Sequence, residues 1–72
     1  MPYVEIKVFE ERFEDPGFPD RMIAALTEAV STVLGAEAGA DTTVIVEAVP
    51  RSRWGHGGRS VARPTANPDS RA

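Results

Sequence analysis

The stretch Tyr3 to Phe9 reads YVEIKVF and alternates, with Val4, Ile6 and Val8 on one face and Glu5 and Lys7 on the other. A period of two with β-branched residues in the apolar set predicts a strand. Tyr3 and Phe9 fall on the face of the charged pair, so that side is not simply solvated. The period then changes. Met22, Ile23, Leu26, Val30, Val33 and Leu34 recur at three- and four-residue steps, while Arg21, Glu28 and Ser31 lie largely off the stripe. This predicts an amphipathic helix over 19–34, with Pro19 in its first turn and Gly35 as a left-handed cap. Before it, Asp15-Pro16-Gly17 supplies turn chemistry. Ala36 to Asp41 reads as a small-residue loop, and Thr42 to Val49, TTVIVEAV, as a second strand.

The lengths of these elements match. A sixteen-residue helix spans about 24 Å, and a seven-residue strand about 23 Å. A strand–helix–strand unit of these lengths closes as a parallel pair with a right-handed crossover. The predicted fold class is therefore α/β, a small β-α-β unit with two parallel strands and one main helix. A C-terminal hairpin or loop follows, since residues 50–58, PRSRWGHGG, hold three glycines in the four positions after Trp54. Residues 1–58 form the predicted domain. Residues 59–72, with two prolines and little to pack, are expected to be a flexible or partner-ordered tail.

Composition sharpens this picture at one point. A chain of 72 residues holds one small domain, and domains of this size need disulfides, a metal or oligomerisation to offset the entropy of ordering. With no cysteine and one histidine, disulfides are excluded and no structural zinc site is expected. Oligomerisation remains. A two-stranded sheet with a helix on one face leaves its other face, with Tyr3 and Phe9, in need of a partner, and another copy of the chain is the simplest one. No apolar stretch approaches the roughly 18 residues of a membrane span, and the first residues lack the charged start and apolar run of a secretory signal. A cytoplasmic location without a membrane partner is the expectation.

The net charge of −3 is unevenly distributed: residues 1–50 hold ten acids and three bases, while residues 51–72 hold five arginines and Asp69. A nucleic-acid binder would show a broader basic face with interleaved aromatic residues, so no nucleic-acid partner is expected. The basic end instead suits a neighbouring acidic surface or a small anionic ligand.

Three features carry candidate chemistry: Met1-Pro2 followed directly by a strand, Arg12 just after that strand, and Trp54-Gly55-His56-Gly57-Gly58 after the second strand. Taken together over roughly residues 2–58, they make the chain resemble the 4-oxalocrotonate tautomerase family. The resemblance implies an isomerase that moves a proton between enol and keto forms of a small carboxylate. It implies that Pro2, once Met1 is removed, is the general base, that Arg12 holds a substrate carboxylate and that Trp54 lines the site. It also implies assembly as a hexamer, with a trimer as the alternative, in which neighbouring subunits share active sites, and chemistry that needs no cofactor or metal.

The sequence departs from the family pattern in the longer turn FEDPGFP and at Thr43, where a second substrate-binding arginine is expected. Thr43 cannot act as a guanidinium; Arg51 or Arg53 could supply the charge from another direction. The departure leaves two other readings open. One is a hydratase, dehalogenase or decarboxylase using the same proline, and the other is a non-catalytic subunit of a hetero-oligomer. His56, between glycines, reads as an exposed loop residue, and Glu11 as a competitor for Arg12.

Overall fold

The computed structural model describes residues 1–62. Strand β1 (Tyr3–Phe9) leads through a 3₁₀ turn (Glu10–Glu14) into helix α1 (Phe18–Leu34); a short helix α2 (Ala36–Ala40) precedes strand β2 (Thr43–Val49). A second 3₁₀ turn (Arg51–Arg53) then enters a small hairpin of β3 (Gly55–His56) and β4 (Arg59–Ser60). β1 and β2 pair in parallel, from Tyr3 opposite Thr43 to Phe9 opposite Val49. The fold is thus the β-α-β unit that the periodicities predict. Of the expected tail, residues 59–72, the first two form β4 and Val61 bonds back to Trp54, while residues 63–72 lie outside the described residues.

The register fixes which side chains share a face. Val4, Ile6 and Val8 stand beside Val44, Val46 and Ala48, and the first three are shielded while their intervening neighbours Tyr3, Glu5 and Lys7 are exposed. On the opposite face Tyr3, Glu5, Lys7 and Phe9 stand beside Thr43, Ile45, Glu47 and Val49.

Asp15 organises the entry to α1. Its carboxylate accepts the Gly17 amide at 3.0 Å and pairs with Arg21 one turn into the helix, and its carbonyl accepts the Phe18 amide at 3.0 Å. This is the Asx-turn chemistry that Asp-Pro-Gly offers, and the helix begins at Phe18, one residue before the predicted Pro19. Phe13 and Phe18 meet edge to face with centroids 5.4 Å apart, bridging the 3₁₀ turn to the helix.

Two expectations are corrected. The segment 36–41 is not a loop: Ala36 to Ala40 form α2, because alanine and glutamate are strong helix formers. Gly39 lets α2 lie against α1, and an added Cβ there would fall 1.7 Å from the Ser31 hydroxyl. Gly35 does not form a left-handed cap. Its φ is 103° but its ψ is 159°, so it acts as a corner between the two helices. The apolar stripe of α1 is only half used. Met22, Leu26 and Val30 are shielded, whereas Ile23, Val33 and Leu34 are exposed, Val33 at 79% and Leu34 at 61%. Two strands are too narrow to cover the stripe.

The same shortage holds throughout. Among the described residues no hydrophobic side chain is fully buried, and Tyr3 and Ile45 on the open sheet face are 57% and 44% exposed. Burial this sparse gives little apolar transfer energy to set against the entropy of ordering the chain.

Candidate functional site

Pro2 stands immediately before β1, and its carbonyl accepts the Thr43 amide at 3.0 Å. The position where the second arginine was expected is therefore the direct neighbour of Pro2 across the sheet. Pro2 lies in a recess lined by Met1, Leu34, Glu37, Ala38 and Asp41. The Met1 amine comes within 3.9 Å of the Asp41 carboxylate. The acids come from α2 and the residue after it, so the segment first read as a loop shapes the surroundings of Pro2.

Trp54 is at the other end of the strand. Its ring packs on Phe9, the last residue of β1, with centroids 4.5 Å apart and planes inclined by 58°. Arg12 follows in the 3₁₀ turn beyond the same end. Pro2 and Phe9 are seven residue steps apart along the strand, about 23 Å of extended chain. One chain therefore brings Trp54, Arg51 and Phe9 together and keeps Pro2 away from them.

The three arginines differ in their surroundings. Arg51 donates from Nε to both carboxylate oxygens of Glu11, at 3.0 and 2.9 Å, and its guanidinium lies 3.9 Å from the centre of the Phe9 ring. Glu11 thus engages Arg51, not Arg12 as the sequence suggested; the two are adjacent only once β1 and β2 align their ends. A surface ion pair of this kind contributes about 0–1 kcal/mol, and a cation over an aromatic face adds about 0.5–1 kcal/mol at an exposed site. Arg12 and Arg53 are exposed and make no ion pair among the described residues. Arg53 lines an open groove of about 590 Å³ together with Glu5, Lys7, Val49, Trp54 and Gly55. Arg12 lines a separate groove with Glu11, Glu14, Asp15 and Arg21, a more acidic setting.

Lys7 is held between two acids on the open sheet face, 2.7 Å from Glu5 and 3.0 Å from Glu47. These hydrogen bonds raise the lysine pKa, and the Lys7 contact holds the Glu5 carboxyl below the usual glutamate range. Lys7 is therefore already compensated, and Arg53 is the cation that the groove leaves without a partner carboxylate.

The hairpin gives Trp54 its place. Pro50 accepts the Arg53 amide at 2.9 Å, Arg51 accepts that of Trp54 at 3.1 Å, and Val61 donates back to the Trp54 carbonyl at 2.8 Å. Gly57 and Gly58 have φ of 61° and 85°, the paired positive angles a two-residue hairpin turn requires. His56 is exposed in β3. No group of three or more His, Cys, Asp or Glu side chains able to hold a metal occurs among the described residues, nor is any helix there long and apolar enough to cross a membrane.

Sequence reasoning missed Phe9 as the platform for Trp54, Glu11 as the partner of Arg51, and Glu37 and Asp41 as neighbours of Pro2. Of these only Phe9 left a signal, as an aromatic residue on the charged face of β1. Comparison with known proteins found no match among curated proteins or solved structures. The family model described as "Tautomerase enzyme", however, matches residues 2–63, from Pro2 through the whole β-α-β unit and the hairpin. The chain belongs to the tautomerase family.

Proposed function

We propose that this protein is an isomerase moving a proton between the enol and keto forms of a small carboxylate, with Pro2 as the base after loss of Met1. The observation that carries this reading is the division of the candidate residues within one chain. Pro2 lies before β1 while Trp54 and Arg12 lie beyond its far end, in a protein of the tautomerase family that buries no apolar side chain among its described residues. A homo-oligomer, a hexamer by preference over a trimer, covers the open sheet face and brings Pro2 of one subunit to Trp54 and Arg12 of another. Arg12 and Arg53 then attract the substrate carboxylate, and Trp54 excludes water from the amine. A neutral secondary amine can take a proton from an enol oxygen and return it to carbon without a cofactor.

Subunit mixing tests the proposal. Pro2→Ala and Trp54→Ala chains, each impaired in ketonising phenylenolpyruvate, are unfolded together, refolded and assayed, and light scattering gives the mass of the mixture. If sites are shared, about a quarter of them regain both residues on random assembly of equal amounts, and activity rises above that of either parent. Activity that stays at the parental mean, or a stable folded monomer at micromolar concentration, overturns it.

The acidic recess around Pro2 supports a second reading. Carboxylates beside an amine favour its ammonium form, which would donate a proton while Asp41 or Glu37 activated water. That combination serves hydration of an unsaturated acid, and hydration of such a substrate without any enol ketonisation would select it.

A further inference from the structure

Of Arg12, Arg51 and Arg53, only Arg51 is ion-paired among the described residues, and its partner Glu11 lies forty positions away in the sequence. Its Nε reaches both oxygens of Glu11 at 2.9 and 3.0 Å, and its guanidinium covers one side of the Phe9 ring at 3.9 Å. The Phe9 ring in turn packs against Trp54 at 4.5 Å. The hairpin bearing Trp54 has strands of two residues each, too short to hold a position unaided. Arg51 and the Trp54 ring are thus the points where the segment after β2 is fastened to the end of β1.

We infer that Arg51 is a positioning residue: clamped by Glu11, it fixes Phe9 and through it the placement of Trp54 and Arg53 at the substrate groove, and it does not itself bind substrate. The inference rests on the proposed catalytic reading only for its kinetic consequences. The mechanical part stands on the contacts alone. Glu11 neutralises the Arg51 charge and so weakens its pull on a substrate carboxylate, whereas a positioning role needs this pair intact.

The test uses the assembled full chain and four variants: Glu11→Ala, Arg51→Met, the double variant, and the exchange Glu11→Arg with Arg51→Glu. Trp54 is the single tryptophan, so acrylamide quenching of its fluorescence reports this position and no other. Loss of either partner is expected to raise the quenching constant about twofold and KM for phenylenolpyruvate about tenfold, with kcat within about threefold, as expected when orientation is loosened and the reacting base is intact. The double variant should be no worse than either single one, because both remove the same contact. The exchange should restore quenching and KM most of the way. Thermal melting and oligomer mass, measured on all of them, separate loosened positioning from unfolding. If Arg51→Met raises KM while Glu11→Ala leaves it unchanged or lowers it, Arg51 binds substrate directly and the inference is wrong. Unaltered Trp54 quenching in both single variants overturns it equally. Should the unmodified protein ketonise no enol acid, the catalytic proposal falls, and the quenching comparison still decides whether the clamp exists.

Discussion

The Thr43 amide donates to the carbonyl of Pro2 at 3.0 Å. This bond sits one residue before the first paired position of β1, Tyr3 opposite Thr43, so Pro2 is anchored through its carbonyl while its nitrogen faces the chain end. A proline nitrogen inside a peptide bond has no basic lone pair; only removal of Met1 creates the amine. Activity of a preparation should therefore scale with the fraction of chains that begin at Pro2, read by intact mass against specific activity. Thermal stability should barely change, because the Thr43 bond survives processing. A homogeneous Met1-bearing preparation with full activity would exclude an amino-terminal base.

Gly39 is needed for its lack of a side chain. A Cβ there would lie 1.7 Å from the Ser31 hydroxyl, 2.8 Å from its Cβ and 3.2 Å from its Cα. The hydroxyl can turn away, but the Cβ and backbone of α1 cannot. Gly39→Ala should destabilise the protein by about 1–3 kcal/mol, the usual range for overpacking, despite the better helix propensity of alanine. Adding Ser31→Ala should recover only part of that loss, since the 2.8 Å contact remains. Denaturant melts of the two variants measure it, and a neutral Gly39→Ala would mean that α2 does not pack on α1 as described.

What the sequence made legible was set by period. The strict alternation of Tyr3 to Phe9 and the three-four spacing from Met22 to Leu34 each predict one element, and β1 and α1 follow with boundaries shifted by a residue at most. α2 was illegible because AEAGA has no apolar stripe to reveal a period; its alanines and glutamate favour a helix, but so short a segment keeps one only where Gly39 fits against Ser31, a tertiary fact. The exposure of Ile23, Val33 and Leu34 was hidden for a related reason, since a periodicity shows which residues share a face and not how wide the opposing layer is. At the site, the family resemblance implied roles for Pro2, Arg12 and Trp54, and the structure places Trp54 against Phe9 at one end of β1 and Pro2 at the other. The Arg51–Glu11 pair spans forty positions, a separation at which charge alone specifies no partner.

The ladder Glu5–Lys7–Glu47 gives a prediction with a definite sign. The Lys7 hydrogen bond depresses the folded-state pKa of Glu5 below its ordinary value of about 4.3. A carboxylate depressed in this way contributes stability that is present above the ordinary value and is lost as pH falls through the folded-state pKa. Lys7→Met should return the Glu5 titration toward about 4.3 and flatten the acid limb of the stability curve. Carbon-detected titration of the glutamate carboxyls measures the first effect and melts between neutral and acid pH the second. An unchanged Glu5 titration would mean that the pair does not form in solution.

The pH dependence of catalysis brings both ends of β1 into one experiment. Only the neutral amine can act as the base, so the rate should rise with pH through the Pro2 pKa and follow the deprotonated fraction. An ordinary terminal amine titrates at about 7.7–8.0, and proline is intrinsically more basic. Two opposed influences act on it. Glu37 and Asp41, which line its recess, favour the ammonium form and raise the pKa. In the proposed shared site, Trp54 and Arg12 of a neighbouring subunit, by desolvation and by like charge, would favour the neutral form and lower it. Asp41→Asn should accordingly move the midpoint down by about 0.5–1 unit, while Trp54→Ala and Arg12→Ala should move it up by a comparable amount. Arg12→Ala should also weaken carboxylate binding by about 1.5–3 kcal/mol, the range for a hydrogen bond to a charged group. Pro2→Ala keeps a terminal amine of altered basicity and loosens its position, so a partial loss with a displaced profile is expected. The shifts for Trp54 and Arg12 arise only if those residues reach Pro2 across a subunit boundary, because within one chain the length of β1 separates them. Opposite shifts for Asp41→Asn and Trp54→Ala would therefore support both the base and the shared site. A profile indifferent to all four substitutions and abolished by His56→Ala would transfer the proton chemistry to that exposed histidine and leave the tautomerase fold without an amino-terminal mechanism.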